Sequence, residues 1–414
     1  MPALRIAFLL LLIFSGGAFG FSGKRPEVAP MPDFSRRIPV QLFAGEQAEI
    51  AFSHNGVIEC FRQGEFSEIY YMSSRLNLSA KNNGITIYDD NGEITSGLSA
   101  VKCKPRGGSS YVEFDGIIYR GFFRATYDSL SCDLILYNIV DLEDYLKGVL
   151  PAEIGERSKD EYEAAKAQAV ASRTYAVWKL ISDGEAGKLY PTVADQVYTG
   201  KSSELGLLNK AVKDTEGEIL MFKEGPIAAY YHAVCGGETI PIEKAWPEKD
   251  RLPYLVGGKD RDYCRWAKTY SWTEIFDLET LSGNLENYFV ERGSAYPGDI
   301  NKIIDIEFHE DDKTNRVLKM DIITESNIFT VECDQIRWAL GRPSKPGAIL
   351  PSTRFSVVKI INDGLLRSLE ITGVGNGHGV GACQCGFIGR AREGQKYDNM
   401  LEEYYIGAKL VRIY

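Results

Sequence analysis

The chain has 414 residues, 44% of them hydrophobic and 25% charged, a composition that suits a globular protein of two or three domains. Its 47 Lys and Arg face 57 Asp and Glu, a formal net charge of -10, so the overall field repels a phosphate backbone and argues against nucleic-acid binding. Eight cysteines are too few for a disulfide-built scaffold, and stability has to come from apolar burial.

The first predicted element is an export signal. Arg5 precedes the wholly apolar run Ile6 to Phe14, and the small residues between Ser15 and Gly20 offer a cut after Gly20. The run is too short to span a bilayer comfortably, and no later stretch approaches 18 apolar residues. Residues 1–20 are therefore read as a signal peptide. The mature chain is expected to be exported, periplasmic or associated with the cell wall, with no integral membrane span. No cysteine adjoins the cut, which disfavours lipoprotein processing, and an exported acidic protein is poorly placed to use nucleotides. Residues 21–37, with Pro26, Pro30 and Pro32, read as an extended leader.

From 38 to 137, short β-branched and aromatic runs broken by Asn, Asp and Gly predict a β-rich module. Gly84 to Tyr88 leads into the hairpin-type turn Asp89-Asp90-Asn91-Gly92, and Gly116 to Arg120 resembles another strand start. At Asp141 the period turns helical. Ser158 followed by Glu161 fits a capping box, and the alanine-rich stretch behind it predicts a helix from Lys159 to Ile181. Strand-like runs return at Ile303 to Phe308, Val317 to Ile323 and Phe329 to Cys333, read as a small β insertion at about 300–360 within a domain covering 138–414. The expected class is α+β, a helical catalytic core with β-rich elements and an N-terminal β-rich module.

Leu142 to Glu153 ends in a carboxylate just after Pro151 and before the capped helix, so Glu153 is expected on a fixed turn. A loop carboxylate is ordinarily a solvated surface charge. The neighbourhood raises its interest: Lys166, Val170, Arg173 and Val177 follow a 4-3-4 spacing along one face of the next helix, with Gln168, Ser172 and Tyr175 as a second polar stripe. Such groups suit a saccharide cleft, or simply an exposed polar face.

Four segments then carry a resemblance: Leu142 to Glu153, Ala165 to Ala176, Tyr231 to Thr239 and Gly377 to Gln384. In order and spacing they resemble the motifs of the stage II sporulation protein D family, also called the amidase-enhancer family. The β-rich region before Asp141 looks like the N-terminal extension of longer members. The resemblance implies a peptidoglycan lytic transglycosylase that cleaves the β-1,4 bond after N-acetylmuramic acid, on strands stripped of stem peptides, with Glu153 as the catalytic residue.

One carboxylate is enough for that chemistry. A glycosidase that admits water uses two carboxyl groups, whereas attack by the sugar's own C6 hydroxyl makes the nucleophile intramolecular, so that proximity replaces the second residue. Glu153 then serves first as acid and then as base, which calls for a raised pKa. Lys166 and Arg173 conflict with this, because a nearby cation lowers a carboxyl pKa. The preferred reading turns both cations toward the substrate; in the other, burial of Glu153 outweighs them. Val193 to Tyr198 is similar to another cleft-forming stretch of the family, which makes Gln196 and Tyr198 candidate sugar contacts, Tyr198 equally a packing residue.

The alternating glycines Gly373 to Gly381 loosely match a nucleotide loop, but without the accompanying strand–helix–strand unit the better reading is a backbone packed too tightly for Cβ atoms. His378 and Gln384 become candidate wall residues, with a structural role equally open for His378.

Of Cys235, Cys264, Cys383 and Cys385, three lie in or beside these motifs. Some family members bind a structural zinc beside the catalytic site through Cys and His. Cys235, Cys264 and Cys383, completed by His232, Cys385 or His378, would suit tetrahedral zinc; a disulfide at Cys235 or free buried thiols are the alternatives. Cys60, Cys103, Cys132 and Cys333 lie outside the motifs, and their pairing is not legible. Two other functions compete: a non-catalytic peptidoglycan-binding enhancer of a cell-wall amidase, and hydrolysis with water as nucleophile.

Overall fold

The computed structural model describes residues 35–72, 75–107, 110–292, 303–363 and 365–414. The expected signal peptide and nearly all of the expected leader lie outside the described residues.

Twelve strands between Arg37 and Asp141 form two antiparallel six-stranded sheets. In one, strand Asp133–Asp141 lies between Arg37–Gly45 and Phe122–Asp128, followed by Ala100–Pro105, Gly56–Arg62 and the edge strand Glu65–Met72. The other contains the expected hairpin, Gly84–Asp89 with Gly92–Leu98. Strict alternation in Asp133–Asp141 turns Leu134, Leu136 and Val140 inward, where they share a core with Ile50, Leu78 and Ile87 of the second sheet.

That same strand runs directly into helix α1 (Leu142–Glu153). Asp141 caps the helix by accepting from the Glu143 N–H and is held by Arg36 at 3.1 Å. The capping box at Ser158 and Glu161 forms, but it opens a short 3-10 turn, and α2 proper runs Tyr162–Ser182. Alanines let other backbones come close, so from Ala164 to Val177 nearly every α2 residue is buried. Around it pack α1, α3 (Gly206–Asp214), strand Glu218–Phe222, and the C-terminal helices described below. After strand Glu238–Pro241 comes the short α4 (Ile242–Ala245).

At the centre lies a buried ion pair. Arg173, fully buried on α2, donates to both carboxylate oxygens of Glu143 on α1 at 2.8 and 2.6 Å, and to the backbone carbonyls of Glu218 and Val212 at 3.0 and 3.2 Å. Tyr414, at the other end of the chain, donates its hydroxyl to Glu143 at 2.5 Å.

The expected small β insertion is larger and not purely β. Strand Ser271–Asp277 opens it and strand Leu365–Val374 closes it, the two pairing side by side. Between them lie α5 (Leu278–Glu291), a three-stranded sheet of Ile303–Asp311, Arg316–Thr324 and Ile328–Glu332, α6 (Gln335–Leu340), and strand Phe355–Asn362. These elements bury their own core, including Phe276, Leu281, Ile306, Met320, Ile336 and Leu369, separate from the main one. Asp277 caps α5 by accepting from the Thr280 N–H, a local start signal that the strand-like runs around it overshadowed. The chain then returns to the main body as α7 (Gln384–Arg392), α8 (Tyr397–Tyr404) and a last strand, Lys409–Arg412, on Glu218–Phe222.

Removing one partner of a buried ion pair leaves the other charge stranded, at a cost of about 3–5 kcal/mol. Arg173→Met is therefore expected to lower the unfolding free energy by about that amount in a denaturant titration, with Glu143→Gln and Arg173→Met less than additive when combined.

Candidate active site and cysteine cluster

Glu153 is the last residue of α1, not a turn residue as the sequence suggested; Pro151 sits in the final helical turn, before the chain leaves at Ile154. Segment 196–200 folds back onto the same helix. Gly148 permits this, since a Cβ there would meet the Tyr198 ring at 2.6 Å and the Gly200 carbonyl at 2.8 Å. Thr199 bonds the Gly148 carbonyl through its N–H at 3.1 Å and its hydroxyl at 2.9 Å. The docking brings the Val197 N–H to 3.1 Å from Glu153 Oε1. From the opposite side Gln384, at the start of α7, donates to Oε2 at 3.2 Å, and the Tyr231 hydroxyl bonds the carboxylate as well.

Burial raises the pKa of Glu153, and the Val197 N–H, Gln384 amide and Tyr231 hydroxyl offset part of that rise. Among the described residues no cation contributes to the shift. The conflict posed by Lys166 and Arg173 thus disappears in neither of the two expected ways, because both cations are paired elsewhere and burial has no cation to outweigh.

Neither cation reaches the site. Lys166 pairs with Glu163 at 2.6 Å and lies 4.6 Å from the Tyr397 ring centre, facing α8. Arg173 is sealed against Glu143. Three more expected sugar contacts are interior groups. Gln168 bonds Ser172 at 3.0 Å within α2, Gln196 receives the Tyr145 hydroxyl at 3.2 Å and donates to the Tyr231 hydroxyl at 2.9 Å, and Tyr198 donates to Asn138 at 3.0 Å while packing on Tyr145 and Tyr119. All three are too buried to touch a ligand. Their role is support: Gln196 and Tyr198 flank the residue whose N–H holds Glu153. Tyr175 gives its hydroxyl to Asp195 at 2.9 Å. His378 has both ring nitrogens occupied by backbone, Nε2 at 3.0 Å from the Tyr231 carbonyl and Nδ1 accepting the Val380 N–H at 3.1 Å, so only its ring face is free. Burial pushes its pKa down to about 3.

The glycine loop is as tight as its sequence implied. At Gly377, φ is +120° and a Cβ would lie 2.6 Å from that of His232; at Gly381, φ is +69° and a Cβ would strike the Tyr230 carbonyl. This closeness lets strand residues Ala382 and Cys383 pair in parallel with Tyr231 and His232.

Cys235, Cys264 and Cys383 converge, and the fourth member is Asp260, not His232, Cys385 or His378. The four donor atoms lie within 4.8 Å of one another, all buried. Cys235 Sγ is 3.4 Å from Cys264 Sγ and donates to Asp260 Oδ2 at 3.2 Å. The other Asp260 oxygen is fixed by Arg390 at 3.1 Å and the Tyr404 hydroxyl at 2.5 Å. Hydrogen bonds from Cys235 and Cys383, helped by the N–H groups of Gly237 and Gly236, pull the Cys264 thiol down to about 3, while Cys235 and Cys383 are pushed up. A tetrahedral site with bonds near 2.0–2.3 Å has ligand-to-ligand edges of about 3.3–3.8 Å, so three sulfurs and an oriented carboxylate fit zinc. At 3.4 Å the two sulfurs are not bonded, and all eight cysteines are free of disulfides. His232 instead turns Nδ1 to the Val380 carbonyl and packs edge-on against His378, with ring centres 5.3 Å apart. Asp260 had a faint signal in the sequence, an acid four residues before Cys264.

Residues 132–222, which hold Glu153 and α2, match the family described as Stage II sporulation protein, and residues 243–381 match one described as a domain of unknown function. An uncharacterized protein of Brachyspira hyodysenteriae is 33% identical over 289 residues, 67% of this chain and 68% of that protein. The Amidase enhancer of Bacillus subtilis is 29% identical over 293 residues, covering 64% of this chain and 40% of the relative. Stage II sporulation protein D of Bacillus subtilis is 27% identical over 291 residues, 66% of this chain and 74% of that protein.

A carboxyl whose folded pKa exceeds its unfolded one destabilises the fold once it ionises. The effect is absent below about pH 4, where both states are protonated, and grows as the pH rises through the folded value. Glu153→Gln is accordingly expected to raise the thermal midpoint at about pH 7.5 and to leave it unchanged at about pH 3.5, read by calorimetry.

Proposed function

Because the chain belongs to the stage II sporulation protein D family, we propose that it acts on the bacterial cell wall as a peptidoglycan lytic transglycosylase, with Glu153 as its single acid and base. The observation that carries this reading is the isolation of that carboxylate. It is partly buried and raised by desolvation, and the groups that act on it include neither a cation nor a second carboxylate. None of those groups is the second carboxylate that hydrolysis by water would use.

In the proposed reaction protonated Glu153 donates to the oxygen linking N-acetylmuramic acid to N-acetylglucosamine. The C1–O bond breaks and the N-acetylglucosamine end leaves as an alcohol. The muramic acid C6 hydroxyl attacks C1, and the Glu153 carboxylate accepts its proton, which restores the acid and yields a 1,6-anhydro end without consuming water. Val197, Gln384 and Tyr231 orient the carboxylate through both steps. Their hydrogen bonds favour the charged form, and burial favours the neutral one, so the group is poised to alternate.

Zinc is proposed as a structural ion held by Cys235, Asp260, Cys264 and Cys383. Once bound it would supply cross-linking of three chain segments. The N-terminal segment is proposed as an export signal, and among the described residues no helix is long and apolar enough to cross a membrane. The name of one relative, Amidase enhancer, favours a second reading in which the cleft holds glycan and stimulates an amidase partner without cutting.

Purified protein and a Glu153→Gln variant, incubated with amidase-stripped glycan strands, separate the readings by mass spectrometry. The wild type is expected to give 1,6-anhydro ends and the variant to lose at least about a thousandfold in rate. Reducing ends instead would mean hydrolysis, and no ends from the wild type, with stimulation of an added amidase, would mean the enhancer. Elemental analysis of protein purified without chelator is expected to find one zinc per chain. Asp260→Ala should lower that content and the thermal midpoint together, and metal-free protein with intact stability would exclude the ion.

A further inference from the structure

A row of aromatic rings, half-buried beyond the buried Tyr175, runs from α2 to the glycine loop that precedes α7. Tyr175 and Trp178, both on α2, lie 5.6 Å apart between ring centres. Tyr230 follows at 5.6 Å from Trp178, Trp246 at 5.1 Å from Tyr230, and His378 at 4.8 Å from Trp246. Tyr175 begins the row, bonded through its hydroxyl to Asp195, two residues before Val197. His378 ends it, six residues before Gln384. Trp178, Tyr230, Trp246 and His378 all keep part of their surface in solvent.

Lys249 lies on this row. Its Nζ is 4.6 Å from the ring centres of both Tyr230 and Trp246 and donates to the Tyr230 hydroxyl at 2.7 Å. A turn from the Lys249 N–H to the Trp246 carbonyl, 3.0 Å, fixes it there. Among the described residues, partly buried Lys147, Lys166, Lys244 and Lys359 pair with Asp144, Glu163, Asp311 and Asp305, while Lys102, Lys188 and Lys201 lie over aromatic rings as Lys249 does. Among the described residues Lys249 has no carboxylate within ion-pair distance, and burial lowers its pKa against the opposing charge of the more distant Glu248. One of its three N–H donors is used on Tyr230, which leaves two for a ligand. A partly desolvated ammonium with no counter-ion in contact is held at a cost that a bound anion would recover.

Aromatic faces accept the apolar C–H faces of a sugar ring, and an ammonium among them accepts a carboxylate. In a glycan strand, muramic acid supplies both only when its peptide is gone, because the stem peptide converts the lactyl carboxylate into a neutral amide. We infer that Trp178, Tyr230 and Trp246 form a saccharide subsite beside Glu153 in which Lys249 pairs with the free lactyl carboxylate of peptide-free muramic acid, so that this one residue selects stripped strands. The inference rests on the glycan reading of the Glu153 site, and it assigns to Lys249 the substrate contact that the sequence assigned to Lys166 and Arg173.

The test uses full-length Glu153→Gln protein, which leaves strands intact, and two fluorescently labelled probes: amidase-stripped strands, and the same strands with their lactyl carboxylates capped as methylamides. With Lys249 present, stripped strands are expected to bind about tenfold more tightly than capped ones. Adding Lys249→Met should remove that preference by weakening the stripped probe alone, and Lys249→Arg should restore it. Equal binding of the two probes by the Lys249 protein, a comparison that needs no further variant, would overturn the inference. So would an equal loss on both probes in Lys249→Met. Anhydro-end formation by the wild type is scored separately: cutting without carboxylate preference sinks the subsite and spares the catalytic reading, and preference without cutting does the reverse.

Discussion

The arrangement hangs on the salt bridge between Arg173 and Glu143. A charge pair enclosed by protein is tolerable only when almost every donor and acceptor finds a partner. Arg173 meets that demand with both oxygens of Glu143 and two backbone carbonyls, while Glu143 also accepts from Tyr414. These contacts draw α1, α2, the end of α3, strand Glu218–Phe222 and the last residue of the chain to one point. Glu153 lies ten residues along α1 from Glu143, about 15 Å at 1.5 Å per residue. The helix is thereby pinned at one end, and its other end delivers the carboxylate to a fixed place.

What Glu153 meets there is neutral: a backbone N–H, an amide and a hydroxyl. A cation would have settled the group permanently as carboxylate, and an apolar lining alone would have kept it permanently an acid. Gln196, Tyr145 and Tyr198 are one layer further out, and the β-rich module reaches this layer through Asn138 and Tyr119. The two six-stranded sheets therefore brace the loop that presents the Val197 N–H.

Much of this was legible in the sequence because it is written in local signals. The strand start at Gly84 to Tyr88, the turn at Asp89 to Gly92, the capping box and the alanine run each depend on neighbours within a few residues, and each produced the expected element. Glu153, Cys235 and Cys383 were legible because their segments carry recognisable order and spacing, whereas Cys264 lies outside those segments. The side of α2 on which a polar group ends up was not. Arg173 and Gln168 read as a cleft-facing stripe, yet a helix wrapped on all sides has no outside there, and what decides their fate is a glutamate thirty residues away or a serine one turn on. Asp260 was missed for a related reason: an isolated acid acquires meaning only when the fold sets Arg390 and Tyr404 behind it. The insertion was underestimated because its strands are strongly patterned while α5 announces itself by little more than the Asp277 cap.

The insertion also shows how such a chain can diversify. Its two connections leave the main body together: Gly375 donates its N–H to the Tyr270 carbonyl at 2.7 Å, and Trp272 reaches back to the Gly375 carbonyl at 3.0 Å. A few residues inward, one connection arrives at Cys264 and the other at Cys383, two corners of the same buried cluster. Beyond this paired stem the inserted body still reaches the cluster: Arg316 donates to the Cys235 carbonyl at 3.0 Å and Arg354 to the Gly236 carbonyl at 2.6 Å. Any body exchanged at the stem would have to supply donors for those two carbonyls, so the insertion and the cysteine cluster are tied to change together.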